Sequence, residues 1–543
     1  MTLLRHAFEF RFLPLTLAIV LTLACAVLAA ALPWTRGLWL VLMVLFAMLA
    51  ARGLIDLTQT RHAVLRNYPI AAHLRFLLEK IRPEIRQYFL ESDQDGMPFP
   101  RDKRAIVYQR AKKDLDKRPF GTMRDVYAES YEWLHHSLAP AEPLPAEAMR
   151  TDIGGPDCRK PYAASLLNIS AMSYGALSDN AIRALNKGAK LGNFAHDTGE
   201  GGISPYHREF GGDLIWELGS GYFGARGADG GLDEGRFAET AADPQVRMVE
   251  LKLSQGAKPG HGGVLPAAKV TAEIAAIRGV PMGQDCVSPA RHSAFATPVE
   301  LLQLIARLRD RSGGKPAGFK LCIGHPHEFM AICKAMAETG ITPDFIVIDG
   351  KEGGTGAAPS EFMDHIGMPL RDGLSFAHNA LVGIGVRDRV RIGASGKIIT
   401  GFDMARVMAL GADWCNAARG FMFAVGCIQA QACHTGHCPT GVTSQDPMRS
   451  RAIVVPDKAD RVKNFQRNTL HALSELVAAV GLAHPRDLRP WHFLRRVTSD
   501  SVQSYADHYH HLHPGELLED PRGAGRFGEA WAQSRADSFA RVA

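Results

Sequence analysis

Residues 390–420 read VRIGASGKIITGFDMARVMALGADWCNAARG. Two short, mostly apolar runs, Val390–Ala394 and Trp414–Ala418, flank a helical segment, Phe402–Leu410. Such runs suit strands buried on both faces of a parallel sheet, and a helix between two of them is the crossover such a sheet requires. Each run ends in a glycine-bearing turn, at Gly396 and at Gly420. Backbone N–H groups in such turns can receive a phosphate, with glycine letting the chain approach it closely.

Moving outward, the same unit recurs. The runs Leu166–Met172, Gly192–His196, Met248–Leu253, Met282–Val287, Gly318–Ile323 and Phe345–Ile348 complete eight candidate strands. Helical spacing over Asp179–Leu191, Ala267–Ile277, Val299–Arg311 and Glu328–Thr339 supplies crossovers between several of them. Eight strand–helix units predict an α/β fold of the (β/α)₈ TIM-barrel type over residues 151–450. A doubly wound open sheet is the alternative; no Gly-x-Gly-x-x-Gly follows the first strand, which weighs against it. In a barrel the chemistry gathers at the C-terminal strand ends. Those ends carry Ser173, Glu200, Gln255, Lys258, Asp349, Ser395 and Arg419.

Further out, Leu13–Leu32 is a charge-free stretch of twenty residues, which as a helix spans roughly 30 Å, enough for a bilayer core. A second apolar run, Leu38–Ala51, extends to Ile55 if Arg52 snorkels. Residues 1–56 therefore predict a transmembrane helical hairpin. Arg5 and Arg11 before it, and Arg52, Arg61, Arg66 and Arg75 after it, put both ends and the catalytic part on the cytoplasmic side of the inner membrane. A cleaved signal peptide is the alternative; the apolar length and the second apolar segment weigh against it. Residues 57–150 predict a helical connecting arm, with Leu74, Leu77, Leu78 and Ile81 at helical spacing and packed between membrane and barrel. Residues 451–543 predict a helical extension over the barrel. His508, His510, His511 and His513 cluster there, without the accompanying pattern a metal site needs.

The 543 residues exceed one ordinary domain. A net charge of +6, with no basic run interleaved with aromatics, excludes a nucleic-acid partner. Nine scattered cysteines do not form a disulfide framework, and reduced thiols fit a cytosol-facing protein. Only Cys427, Cys433 and Cys438 cluster. Three thiolates in that spacing can hold an iron–sulfur cluster; zinc with His434 or His437, or three buried structural cysteines, are the rival readings.

Three more segments carry chemistry. The glycine-rich run Asp349–Pro359 follows the sixth candidate strand and suits a loop lying against a flat ligand, or a plain flexible loop. Lys252 alternates with Leu251 and Leu253, so it points into the barrel, where a lysine without a partner is costly. With Lys258 and Arg278 it suits a dicarboxylate or another anion. Glu200, in Asp197–Gly202 after the second strand, is a candidate acid or orienting group, or a solvated loop residue.

As an ordered set these segments resemble the synthase domain of glutamate synthases. Ala171-Met-Ser-Tyr-Gly-Ala-Leu-Ser178 looks like that family's first-strand motif, and Thr198-Gly-Glu-Gly-Gly202 its second-strand loop. Gln255-Gly-Ala-Lys-Pro-Gly260, Gly353-Gly-Thr-Gly-Ala-Ala-Pro359 and the spacing of Cys427, Cys433 and Cys438-Pro439 also match. The likeness covers about residues 150–450 and is greatest to stand-alone FMN-binding members with a hydrophobic N-terminal region.

The resemblance implies FMN against Ala171, Met172, Ser173, Gln255, Lys320, Asp349 and Gly353, Gly354 and Thr355. The FMN phosphate would lie near Ser395, Gly396, Ala418 and Arg419. It implies an iron–sulfur cluster, 3Fe-4S rather than 4Fe-4S, on the three cysteines. It implies 2-oxoglutarate or its imine held by Lys252, Lys258 and Arg278, with Glu200 orienting or protonating the nitrogen, and glutamate as product. Two positions depart from the pattern: Val264 replaces a usual Gln, and Arg419 a small hydroxyl residue. The chain opens on the apolar segment rather than a catalytic cysteine, and no β-helix domain follows the barrel. Ammonia is therefore expected free, from a partner, or replaced by another amine. The expected electron donor is ferredoxin or a separate reductase. The same cofactors acting on another amino or keto acid or amine, or a membrane redox relay without catalysis, are the alternatives.

Overall fold

The computed structural model describes residues 8–542, so Arg5 lies outside the described residues. The chain divides into two compact units, one ending at Asp102 and the other beginning at Lys103.

In the first unit, α1 (Leu13–Ala31) and α2 (Arg36–Thr58) are joined by a single turn at Pro33–Thr35 and pack side by side. Both are long and apolar enough to cross a bilayer. The second helix outruns its apolar stretch because Arg36 opens it and Arg52 and Asp56 lie inside it. Asp56 is fully buried: its carboxylate accepts the Ile70 N–H at 3.0 Å and meets His73 Nε2 at 2.9 Å. Leu15, Ala18, Cys25 and Ala29 of α1 and Ala50 of α2 are buried, while Leu23, Val27 and Val41 are exposed. The next long helix, α3 (Ala72–Ile85), continues as a wider turn over Arg86–Leu90. Its apolar residues Leu74, Leu77, Leu78 and Ile81 are exposed.

The second unit is built on a closed barrel of eight parallel strands: β1 (Leu167–Ile169), β2 (His196–Asp197), β3 (Leu214–Leu218), β4 (Val246–Lys252), β5 (Ala317–Leu321), β6 (Phe345–Asp349), β7 (Arg391–Ser395) and β8 (Trp414–Ala417). β8 closes onto β1 through the pairing of Asn416 with Asn168. The (β/α)₈ fold class predicted from the sequence is therefore the observed one, with one exchange of strands. Met282–Val287 is not a barrel strand; its last two residues pair with Val264–Leu265 in a small hairpin outside the barrel. Leu214-Ile-Trp-Glu-Leu218 takes the place in the ring, and Met248–Leu253 falls on the fourth strand. Glu217 inside that run disguised it, while Gly283 and Asp285 break the other one.

Crossover helices start where the sequence caps them. Ser178 accepts the Ala181 N–H at the start of Asp179–Gly192, and Thr297 with Glu300, and Thr400 with Asp403, form reciprocal caps on Pro298–Arg311 and Gly401–Ala409. The predicted helix Ala267–Ile277 is divided into a short turn, Ala267–Lys269, and a helix, Ala272–Arg278, restarted by the Thr271 cap.

The lower barrel is closed by an antiparallel hairpin, Arg150–Ile153 with Tyr162–Ser165. Ile153, Tyr162 and Ala164 pack there with Ala195, Ile215, Met248, Phe345, Val347 and Trp414. Gly393 makes room for the indole: a Cβ there would lie 2.5 Å from the Trp414 ring.

The predicted helical arm is helical only as far as Lys112; beyond it the chain is irregular until Glu132–Leu134, which pairs with Phe493–Arg496 and through it with Val502–Ser504. Glu132 ties this small sheet to the barrel through Arg371 and Arg406. The C-terminal extension is one long helix, Val455–Ala479, followed by short helices and these two strands. The long helix packs on Asp179–Gly192, so closely that a Cβ at Gly188 would lie 2.5 Å from Val462. The four histidines near residue 510 do not converge as a metal set among the described residues; His511 faces the Tyr505 carbonyl.

Candidate active site

Glu200, Lys252, Lys258 and Arg278 meet at the C-terminal strand ends. Glu200 follows β2, and its Oε1 lies 2.9 Å from Lys252 Nζ. The carboxylate is wedged between two loops that only glycine permits: a Cβ at Gly263 would lie 2.1 Å from Oε1, and one at Gly219 2.6 Å from Oε2. Burial alone would raise the Glu200 pKa; Lys252, then Arg278 and Lys258, outweigh it and hold the group below the usual carboxylate range. Glu200 is therefore anionic, suited to orienting a cationic nitrogen rather than protonating it.

Lys252 Nζ also donates to Gln255 Oε1 at 2.9 Å. Lys258 is 3% exposed, and its ammonium donates to the Ala357 carbonyl at 2.9 Å. Burial, then repulsion from Lys252, lowers its pKa to about 8, with Glu200 opposing. Among these groups it is the cation poised to give up a proton near neutral pH. Arg278 closes its helix and donates to the Tyr174 carbonyl at 3.2 Å and to Ser173 Oγ at 3.4 Å. Its guanidinium lies 5.3 Å from the centre of the Phe223 ring.

The residues assigned to a flavin line the same rim. Ala171, Met172 and Ser173 follow β1, beside the Glu200 loop. The Gly256 N–H donates to Asp349 Oδ2 at 2.7 Å, pinning the Gln255 loop to β6. Gly354 lies against Arg419, whose guanidinium donates to the Glu352 carbonyl, while Gly353 sits beside Asp349 and Thr355 donates to the Ala357 carbonyl at 3.2 Å. Burial lowers the Arg419 pKa to about 10, partly offset by Asp349 and Glu352; burial and Arg419 also lower that of Lys397. Two desolvated cations that repel each other, beside Ser395, Gly396 and Ala418, fit a phosphate that would neutralise both. Lys320 lies deeper: its ammonium is engaged by Glu217 and Glu250 inside the barrel.

Cys427, Cys433 and Cys438 lie on one loop that is tied to the first strand's loop. The Ser178 N–H donates to the Val442 carbonyl at 2.9 Å, and Gln445 Nε2 donates to Gly175 and Leu177. Lys269 bridges the Ala176 carbonyl at 2.8 Å and the Cys433 carbonyl at 3.4 Å. Burial would raise the Cys438 pKa, but hydrogen bonds from Thr440 and Thr443 bring it down to about 7; burial pushes Cys427 up to about 12. All nine cysteines are free. Among the described residues the three sulfurs and either exposed histidine, His434 or His437, form no set within 4.8 Å. Three soft sulfur donors on one loop suit the ligand set of an iron–sulfur cluster.

Four residues at or under the site escaped the sequence reading. His292 donates from Nε2 to the Lys252 carbonyl at 2.8 Å and accepts from the Tyr222 hydroxyl at 3.0 Å, fixing the end of β4. Glu217, Glu250 and Asp197 surround Lys320. The alternation that pointed Lys252 inward also points Glu250 inward, two residues earlier.

The model of the conserved region in glutamate synthase matches residues 124–483. The chain is 37% identical over 515 residues to the glutamate synthase large subunit-like protein YerD of Bacillus subtilis, covering 88% of this chain and 97% of that one. It is 35% identical over 322 residues to the archaeal glutamate synthase [NADPH] of Methanocaldococcus jannaschii, covering 59% of this chain and 60% of that protein's length. A flavocytochrome b2 variant solved with sulfite bound superposes at a TM-score of 0.41 and 11% identity, covering 83% of this chain and 92% of its own, a likeness too low to bear on ligand or reaction.

Proposed function

Because this chain belongs to the glutamate synthase family of oxidoreductases, we propose that it reduces 2-iminoglutarate, formed from 2-oxoglutarate and ammonia, to glutamate, using FMN and an iron–sulfur cluster and anchored in the cytoplasmic membrane. The observation that carries this reading is the meeting of Lys252, Lys258 and Arg278 around an ionised Glu200 at the barrel rim. Three cations suit the two carboxylates of the substrate, and the single anion suits its iminium nitrogen.

Bound FMN would supply the hydride chemistry, and the protein's part is to hold, orient and protonate. Lys252 and Arg278 hold carboxylates. Glu200 keeps the nitrogen cationic and aimed. Lys258, with its lowered pKa, is placed to protonate substrate or intermediate near neutral pH. Ser395, Gly396, Ala418 and Arg419 would hold the phosphate. Cys427, Cys433 and Cys438 would hold the cluster, 3Fe-4S by ligand count. Ferredoxin or a separate reductase would be the electron source.

The membrane reading rests on α1 and α2 and on the basic residues beyond them: Arg11 before the first, Arg61, Arg66 and Arg75 after the second. By the positive-inside rule that charge pattern supports a cytoplasmic barrel. The exposed apolar residues of α3, interleaved with Arg75, Lys80 and Arg82, suit the lipid–water interface.

The test is turnover by the purified, reduced protein with 2-oxoglutarate and ammonium. Glutamate is the expected product; its absence with ammonium, glutamine and simple amines alike would sink the reading. Val264, next to the Gly263 that abuts Glu200, favours one alternative, the same cofactors acting on a different keto acid. Flavin spectral changes induced by other keto acids but not by 2-oxoglutarate would select it.

A further inference from the structure

Under the rim, the barrel encloses three carboxylates and one ammonium. Asp197 on β2, Glu217 on β3 and Glu250 on β4 bring their oxygens within 4.8 Å of one another. Lys320 of β5 reaches into the group, touching Glu217 and lying 3.2 Å from Glu250 Oε1. All four are buried, the carboxylates at 1% exposure and Lys320 at 4%. The ammonium takes the place a metal ion would need between Glu217 and Glu250. The nearest other charges are at the strand ends: Lys252 and Glu200 above Asp197, Lys258 beyond them, and Asp349 on β6.

Three anions and one cation would leave two uncompensated charges where water is excluded. Burying an uncompensated ion is costly, and a proton that neutralises it removes that cost. The hydrogen bonds indicate where the proton resides. Glu217 is paired with Lys320. Asp197 Oδ1 accepts the Gly199 N–H at 3.0 Å. Glu250 has only the longer contact from Lys320, 3.2 Å from Oε1, and among the described residues its Oε2 has no hydrogen-bond partner.

We propose that Asp197, Glu217, Glu250 and Lys320 form an internal proton reservoir: Glu250 is a neutral acid in the resting protein, and the group takes up a second proton, on Asp197, when an anion binds at the strand ends. The electrostatics agree. Burial, and then Asp197 and Glu217 against the opposing pull of Lys320, push Glu250 well above the carboxylate range. Burial followed by Glu217 raises Asp197 to about 7, so a new negative charge nearby shifts it across neutrality. The second half of the proposal rests on the anion-binding reading of the rim; the first half does not.

Infrared spectroscopy of the purified holoprotein, with carboxyl-labelled glutamate or aspartate, separates the two halves. At pH 7 and without substrate, one glutamic-acid C=O stretch that shifts in heavy water is expected, and Glu250→Gln should remove it. Addition of 2-oxoglutarate should produce a second acid band, from aspartate, which Asp197→Asn abolishes. Absence of any acid band in the wild-type spectrum overturns the proposal, whether or not Glu250→Gln folds. A resting band without a second one, in protein shown by calorimetry to bind 2-oxoglutarate, overturns the uptake step. Failure of 2-oxoglutarate to bind counts against the proposed substrate, and the resting band then decides for the reservoir alone.

Discussion

The lower and upper halves of the barrel are built by the same strands and differ by one step of the pleat. Ala195 is followed inward by Asp197, Ile215 by Glu217, Met248 by Glu250 and then Lys252, Val347 by Asp349, and Trp414 by Asn416. Below, these positions pack with Ile153, Tyr162 and Ala164 into an apolar plug. Above, they hold the neutral Asn416 and otherwise charges that would be ruinous if unpaired. Stability and chemistry are thus separated along the barrel axis, which is why catalytic residues in this fold come from strand ends.

The sharpest way to test this separation is to damage each half. Trp414→Ala, in the plug, should cost about 3–5 kcal/mol at every pH. Lys320→Met removes the internal cation and should cost a similar amount at neutral pH, about 3–5 kcal/mol. The two should part company on acidification. Carboxylates left without Lys320 have folded-state pKa values raised above their unfolded ones, so their penalty is present at neutral pH and shrinks as pH falls toward the unfolded values. Thermal unfolding at pH 7.5 and pH 5 measures this: the Lys320→Met deficit should narrow and the Trp414→Ala deficit should not. Equal behaviour would mean the upper layer is not electrostatically organised.

The next effect is on turnover. Lys258→Met should lower kcat about a hundredfold, the usual contribution of a general acid, with little change in unfolding temperature. The ammonium is the active form, so wild-type kcat should fall as pH rises through about 8, and this alkaline limb should vanish in the variant. Smaller again is Arg278→Leu. Loss of one charge-assisted contact of about 1.5–3 kcal/mol should raise the KM for the keto acid some tenfold or more, with kcat less affected.

The two halves also differ in how much of them is legible in the amino-acid pattern alone. The alternation of helix and short apolar run gave eight units and a barrel, because each unit carries its own local pattern. The exchange of Leu214–Leu218 for Met282–Val287 occurred where that pattern met function: Glu217 makes a barrel strand look half-polar, although its charge is absorbed by Lys320 from a strand about a hundred residues away. No local property of residues 214–218 reveals that partner. Lys252, Lys258, Arg278 and Glu200 were legible because glycine-rich turns and an inward lysine flag a strand end. Glu250 was accessible by the same alternation but sat where a structural residue was expected. His292 was not, since its value lies in fixing the Lys252 carbonyl across forty residues.

If the upper layer holds a dicarboxylic keto acid, as proposed, titrating the flavin absorbance with 2-oxoglutarate reads that binding. A saturable spectral change is expected in the wild-type holoprotein, weakened at least tenfold by Arg278→Leu and far less by a change in the plug such as Met248→Leu. No spectral response to 2-oxoglutarate in flavin-loaded protein, or equal weakening by both substitutions, would contradict it.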